Sequence, residues 1–146
     1  MNKFLVVVGL QPEKIAEIRC GEKLVKWVLN HQSEYTATIA IVRKDLCRDN
    51  FNRMGDTIGN KEASNLPYPA DTIMEVPGYD VDCNVFRRDA EYHIMGISTG
   101  ASVICTAMSM FSAGINIKIL GDLCADRKGM HDHAIKIMKA YMPIAF

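Results

Sequence analysis

A chain of 146 residues with 17 basic and 17 acidic side chains carries no net charge, which excludes both the basic field of a nucleic-acid binder and the excess charge of a disordered segment. Hydrophobic residues make up 49% of it, enough for a full core, and the length suits one domain over residues 1–146. The apolar run from Phe4 to Leu10 is too short for a membrane span or a signal peptide. The five cysteines, Cys20, Cys47, Cys83, Cys105 and Cys124, contain no C-x-x-C pair, so a reduced cytoplasmic setting is expected. Without net charge to keep copies apart, self-association into a homo-oligomer is expected, with no membrane or nucleic-acid partner.

The elements follow in chain order. Lys3 to Gly9 (KFLVVVG) is a continuous β-branched run, the pattern of a strand covered on both faces. Glu22 to His31 places Leu24, Val25, Val28 and Leu29 on one face of a helix. Tyr35 to Val42 reads as a second strand. Arg43 to Pro69 is polar and rich in Asn, Asp and Gly, a loop with one short helix near Asp49 to Met54 that is expected to shape a pocket. Thr72 to Val76 is a short third strand ended by Pro77-Gly78, and Glu91 to Ile97 a fourth. Ser102 to Ser112 is a buried helix, Asn116 to Leu120 a fifth strand, and Met130 to Tyr141 a last amphipathic helix carrying Ile135 and Met138, with Met142 just beyond it. Strands alternating with helices predict a three-layer α/β/α sandwich on a mainly parallel, Rossmann-like sheet of five to six strands. Ligands bind such sheets at the carboxyl ends of the strands.

The segment from Gly96 to Gly114, GISTGASVICTAMSMFSAG, is the most informative. A strand enters a turn of small residues and leaves as an apolar helix. The first amides of a helix have no internal partner, and its dipole adds about half a positive charge there. A row of N–H groups from Gly100 to Ser102 at the mouth of the fold is therefore expected to hold an anion or an oxyanion.

Four pieces of the chain together resemble the isochorismatase-like cysteine hydrolases, a family that includes nicotinamidases, N-carbamoylsarcosine amidohydrolases and isochorismatases. VVVGLQ (Val6 to Gln11) resembles the family's first strand ending in Asp-x-Gln, and IAIVRKD (Ile39 to Asp45) its second strand and Arg-Asp turn. GISTGASVICTA (Gly96 to Ala107) resembles G-x-x-T-D-x-C-V-x-x-T-A. AGINIKILGDLCADRKGMHDHAIKIM (Ala113 to Met138) resembles the closing strand and helix. The resemblance implies a hydrolase in which an Asp deprotonates a Cys, a Lys assists, and helix-start amides hold the oxyanion. Matched position by position, the Asp falls on Gly9, the Lys on Val76 and the nucleophile on Ser102, so no triad side chain is retained.

Two functions of different class follow. The first is an inactive member that senses or sequesters a small anionic ligand, nucleotide or nicotinamide-related, in the manner of a viral sponge. The ligand contacts would come from Gly9, Gln11, Arg43, Thr99, Gly100, Ala101 and Ser102, with Arg87 and Arg88 as further cations and Tyr79 or Tyr92 as stacking rings. Loss of the Asp carboxylate also leaves more room at Gly9 and removes a like charge. The second is an active hydrolase of amides or esters using Ser102 or Cys105 with Asp45 or Asp80 as base. Cys105 reads as a core thiol with raised pKa, and Ser102 as a helix-start hydroxyl satisfying an amide. A structural subunit is a third possibility. No cofactor is implied. The family's metal variant needs histidines after the second strand, where Asp45, Cys47 and Asp49 stand but none of His31, His93, His131 and His133, so no metal is expected. The resemblance also implies a dimer or tetramer.

Overall fold

The computed structural model describes residues 1–43, 48–54 and 65–145. The order of elements is β1 (Asn2–Val8), α1 (Pro12–Ala16), α2 (Gly21–His31), β2 (Ala37–Arg43), α3 (Arg48–Arg53), β3 (Thr72–Val76), β4 (Ala90–Ile97), a π-helical turn (Thr99–Val103) running into α4 (Ile104–Ser112), β5 (Asn116–Ala125), α5 (His131–Tyr141) and β6 (Ile144–Ala145). The strands form one six-stranded sheet in the order β3-β2-β1-β4-β5-β6, and every neighbouring pair is parallel.

The β-branched run of β1 explains its central place. Successive side chains point to opposite faces. Leu5 and Val7 join Leu24 and Val28 of α2, with Met95 and Ile97 of β4, on one side. Val6 and Val8 join Val103, Ala107 and Met110 around α4, and Ala134 and Met138 of α5, on the other. All of these are buried. The expected three-layer α/β/α sandwich is the observed fold.

Several boundaries differ from the sequence reading. Leu29 is 50% exposed, so the buried stripe of α2 is narrower than its apolar spacing indicates. Tyr92 lies in the core at 2% exposure, its hydroxyl accepting from the Arg87 amide at 2.8 Å, and is no stacking ring for a ligand. α1 and β6 are additional elements; Pro at the first position of α1 is the local signal for its start. The largest change is β5, which continues beyond Leu120 to Ala125. The strand runs through Gly121-Asp122 with an irregularity in register, pairing Ile94 with Ile119 and then Gly96 with Cys124. This carries the residue after β5, Asp126, to the carboxyl edge of the sheet.

Gly96 sits where that register shifts, at φ +136°, and a β-carbon there would overlap the Val8 carbonyl oxygen. Only glycine lets β1 and β4 pair so closely. Gly96→Ala is expected to cost at least about 2 kcal/mol, read as a lower urea midpoint.

At the opposite edge, His93 Nε2 lies 2.6 Å from Glu91 Oε1, and its Nδ1 lies 2.9 Å from the Tyr35 hydroxyl. The hydrogen bond to His93 holds the Glu91 carboxyl below its ordinary value, against a smaller opposing effect of burial. A lowered folded-state pKa favours the ionised form, so its stabilisation is complete above the ordinary Glu value of about 4.3 and is lost as pH falls through the folded value. Urea midpoints should therefore drop less between pH 6 and pH 3 in Glu91→Gln than in the unaltered chain.

Candidate active site and its cavity

In a sheet of this order the crossovers leave β1 in opposite directions, opening a crevice at the carboxyl ends of β1 and β4. The strand ends deliver the residues found there. Gly9 follows β1, Arg43 ends β2, Val76 ends β3, Ser98 follows β4 and Asp126 follows β5. Gly9, Val76 and Ser102 line one narrow recess together with Val8, Ile41 and Thr106. The three positions onto which the sequence reading places the family's triad lie together in space, and none bears a carboxyl, an amine or a thiol.

In front of this recess opens a cavity of about 90 Å³ lined by Lys14, Arg43, Tyr79, Ser98, Gly100, Ala101, Ser102, Asp126, Arg127, Lys128 and Met130. Four of the lining residues are basic and one is acidic. Lys14 and Arg43 line the recess as well. Both are buried, at 2% and 3% exposure, which is rare for residues of this kind. Arg43 is anchored from two sides. Its amide donates to Gln11 Oε1 at 3.1 Å, and its guanidinium lies 4.0 Å from the centre of the Phe51 ring on α3. Tyr79 stands edge-on to the same ring and is 40% exposed at the mouth.

Lys14 was missed in the sequence, where it is one lysine in a polar stretch. α1 turns it inward, and its Nζ lies 3.1 Å from where a β-carbon on Gly9 would stand. That same β-carbon would overlap the Ile97 carbonyl oxygen, and Gly9 has φ +61°. The extra room expected at Gly9 is therefore absent. An amine and a carbonyl fill the space, and glycine is required by conformation and by contact.

The helix start also differs from the expected row of open donors. The Ile97–Ser98 peptide is cis. The Gly100 amide donates to Asp126 Oδ2 at 2.7 Å, and the Ala101 and Val103 amides donate to the Ser98 carbonyl, each at 3.1 Å. Asp126 is fixed further by the Lys128 and Met130 amides, which donate to Oδ1 at 2.8 and 3.2 Å. The dipole end of this helix already faces an anion of the protein's own. Asp126 was missed because the sequence reading ended β5 at Leu120.

Of the other expected contacts, Gly100, Ala101 and Ser102 line the cavity. Gln11 and Thr99 are fully buried and do not; Thr99 Oγ1 lies 2.8 Å from His131 Nδ1. Arg87 is turned to Asp89 on the surface, and Arg88 lies beside Gly114, so neither belongs to the cavity. Arg127 pairs with Glu17. Asp45, Cys47 and the Asp49 side chain lie outside the described residues, as does most of the Arg43 to Pro69 loop. Among the described residues no group of three His, Cys, Asp or Glu side chains is placed to hold a metal, and no helix is long and apolar enough to cross a membrane.

Of the candidate nucleophiles and bases, Cys105 and Asp80 share one groove, Ser102 lies apart from them in the cavity, and Asp45 is outside the described residues. Cys105 is not in the core. It is half-buried on an open groove with Tyr79, Asp80, Ile104, Met108 and Ser109, where burial and then the Asp80 charge push its thiol up. Cys124 is buried, and its thiol is pushed up to about 12 by desolvation. Asp80 accepts from the Ser109 hydroxyl and the Val81 amide, which hold its carboxyl below the ordinary range, and it lines the groove rather than the cavity. Ser102 has no aspartate at Gly9 to take its proton. Placing one there conflicts with the fold: Gly9→Asp should lower stability by about 1–3 kcal/mol and create no amidase activity, checked by urea unfolding and an ammonia-release assay.

No family model matches the chain, and no curated protein matches it in sequence. Solved structures match its shape over nearly the whole length. An isochorismatase-like hydrolase from Alkaliphilus metalliredigens is similar at a TM-score of 0.74 and 12% identity, covering 99% of this chain and 94% of that one. Nicotinamidase from Bacillus subtilis is similar at 0.71 and 16% identity over 100% of both chains. The MAR1 ribonuclease from Caenorhabditis elegans is similar at 0.67 and 14% identity, covering 99% of this chain and 76% of that one. With its parallel sheet, its crevice and these neighbours, the chain has the fold of the isochorismatase-like hydrolases.

Proposed function

We propose that this chain is a binding protein for a small anionic ligand, built on a hydrolase fold without the hydrolase's bond-breaking groups. The observation that carries the reading is the cavity itself, in which Lys14, Arg43, Arg127 and Lys128 outnumber Asp126. Two of these cations are almost wholly buried, where water screens them little, so an anion entering between them lowers the energy of the site. A charge-assisted hydrogen bond at such a place contributes about 1.5–3 kcal/mol.

The size of the cavity limits what is enclosed. Sites for drug-sized ligands span about 300–1,000 Å³. A space of about 90 Å³ takes a carboxylate, a phosphate or a molecule little larger. A nucleotide or a nicotinamide-related acid would insert its charged group and leave its ring at the mouth, where Tyr79 offers a face or an edge. On this reading the ligand is held unchanged, because Gly9 puts no carboxylate beside Ser102 to activate it. Sensing and sequestration both fit such a site, and a homo-oligomer would bring several copies of it together.

Isothermal titration and thermal melting with inorganic phosphate, acetate and nicotinate test the reading. At a hundred times the Kd a ligand stabilises the folded state by about 2.7 kcal/mol, a shift of several degrees. Lys14→Met and Arg43→Met should each weaken binding about 10- to 100-fold, while Ser102→Ala leaves it within about twofold. No amide or ester should be turned over. Cleavage that disappears in Ser102→Ala or Cys105→Ala, or the absence of any anion response, would overturn the reading.

A further inference from the structure

We infer that the ligand of this cavity is a small zwitterion, with its oxyanion group on Lys14 and Arg43 and an ammonium or other N–H donor on Asp126; this rests on the anion-binding reading above and narrows it. The cavity has two electrically different ends. Lys14 and Arg43 are buried in the cavity wall, so they mark the inner end. Gly100 and Met130 are exposed and Asp126 is half-buried, so they mark the outer end. The other two cations do not cancel Asp126. Arg127 is engaged with Glu17, and Lys128 is exposed on the rim.

The outer end is built, not incidental. Asp126 is clamped by the amides of Gly100, Lys128 and Met130, and the turn that brings the last two round passes through Gly129 at φ +74°. A carboxylate offers about four acceptor positions. Three are occupied by backbone donors, which leaves one for a ligand. The carboxylate also sits on the helix start, so an incoming anion meets like charge where the dipole would otherwise attract it. Negative charge is thereby directed inward to the buried cations, and the group facing Asp126 must donate. Within about 90 Å³ one small molecule spans both ends. A carboxylic acid without a donor leaves the fourth acceptor position of Asp126 unfilled, and sites built to hydrogen-bond a ligand donor discriminate against such analogues.

Titration calorimetry of the whole chain at pH 7 with L-alanine, propionate, ethylamine and inorganic phosphate separates the possibilities. Alanine and propionate share a carboxylate and differ in the ammonium group. The expected result is alanine at least tenfold tighter than propionate, with ethylamine undetected. Asp126→Asn keeps one acceptor oxygen for the Lys128 and Met130 amides, turns a donor NH2 toward the Gly100 amide and loses the charge, and should reduce the alanine preference to less than threefold. Lys14→Met should weaken both acids alike. The comparison of alanine with propionate uses the unaltered chain, so the proposal stays testable if Asp126→Asn fails to fold. Equal binding of the two acids, an alanine preference that survives in a folded Asp126→Asn, or binding of phosphate alone would overturn the zwitterion while leaving the anion site standing. Failure of all four probes would remove both.

Discussion

The close approach of β1 and β4 governs the rest of this molecule. Their backbones run so near one another that the Val8 carbonyl forbids a side chain at Gly96 and the Ile97 carbonyl forbids one at Gly9. Both glycines hold positive φ. The two strands are the centre of the sheet and the point at which its winding reverses, so their spacing sets the width of the crevice above them. It also determines what the crevice may contain. A site of this architecture that needs a carboxylate after its first strand has no place for one here, and the neighbouring space is filled by the amine of Lys14.

Charge is then distributed in a way that the hydrolase pattern alone does not anticipate. The start of the π-turn and α4 faces a carboxylate that belongs to the chain, and the buried cations Lys14 and Arg43 line the same cavity. Moving the cationic centre from peptide dipoles to buried side chains changes the chemistry on offer. Peptide N–H groups stabilise an oxyanion that forms during reaction. Buried ammonium and guanidinium groups favour an anion that is present from the outset.

Much of the fold was legible because it rests on local pattern. The β-branched runs of β1 and β2, the Pro-Gly stop after β3, and the small-residue turn before α4 each report a backbone preference that tertiary packing reinforces. Ser102, Val76 and Gly9 lie together at one edge because they stand at or just beyond the ends of β4, β3 and β1, and strand ends converge in a parallel sheet. Lys14 and Asp126 were not legible. One is turned inward by a five-residue helix, the other is carried into place by an irregular strand that crosses a Gly-Asp pair. Neither event leaves a periodic trace in the chain.

The amino-acid order alone determined the alternation of strands and helices and the parallel sheet with both faces covered. It could do so because side-chain period, β-branching and residue identity are properties of the chain itself. Only tertiary structure decided which charges meet. Lys14, Arg43 and Asp126 are separated by 29 and 83 residues along the chain, and their encounter depends on how β1, β2 and β5 align at one edge of the sheet. Electrostatic interaction falls with distance in space and is indifferent to distance in sequence, so the polarity of the cavity came into being only when the sheet closed.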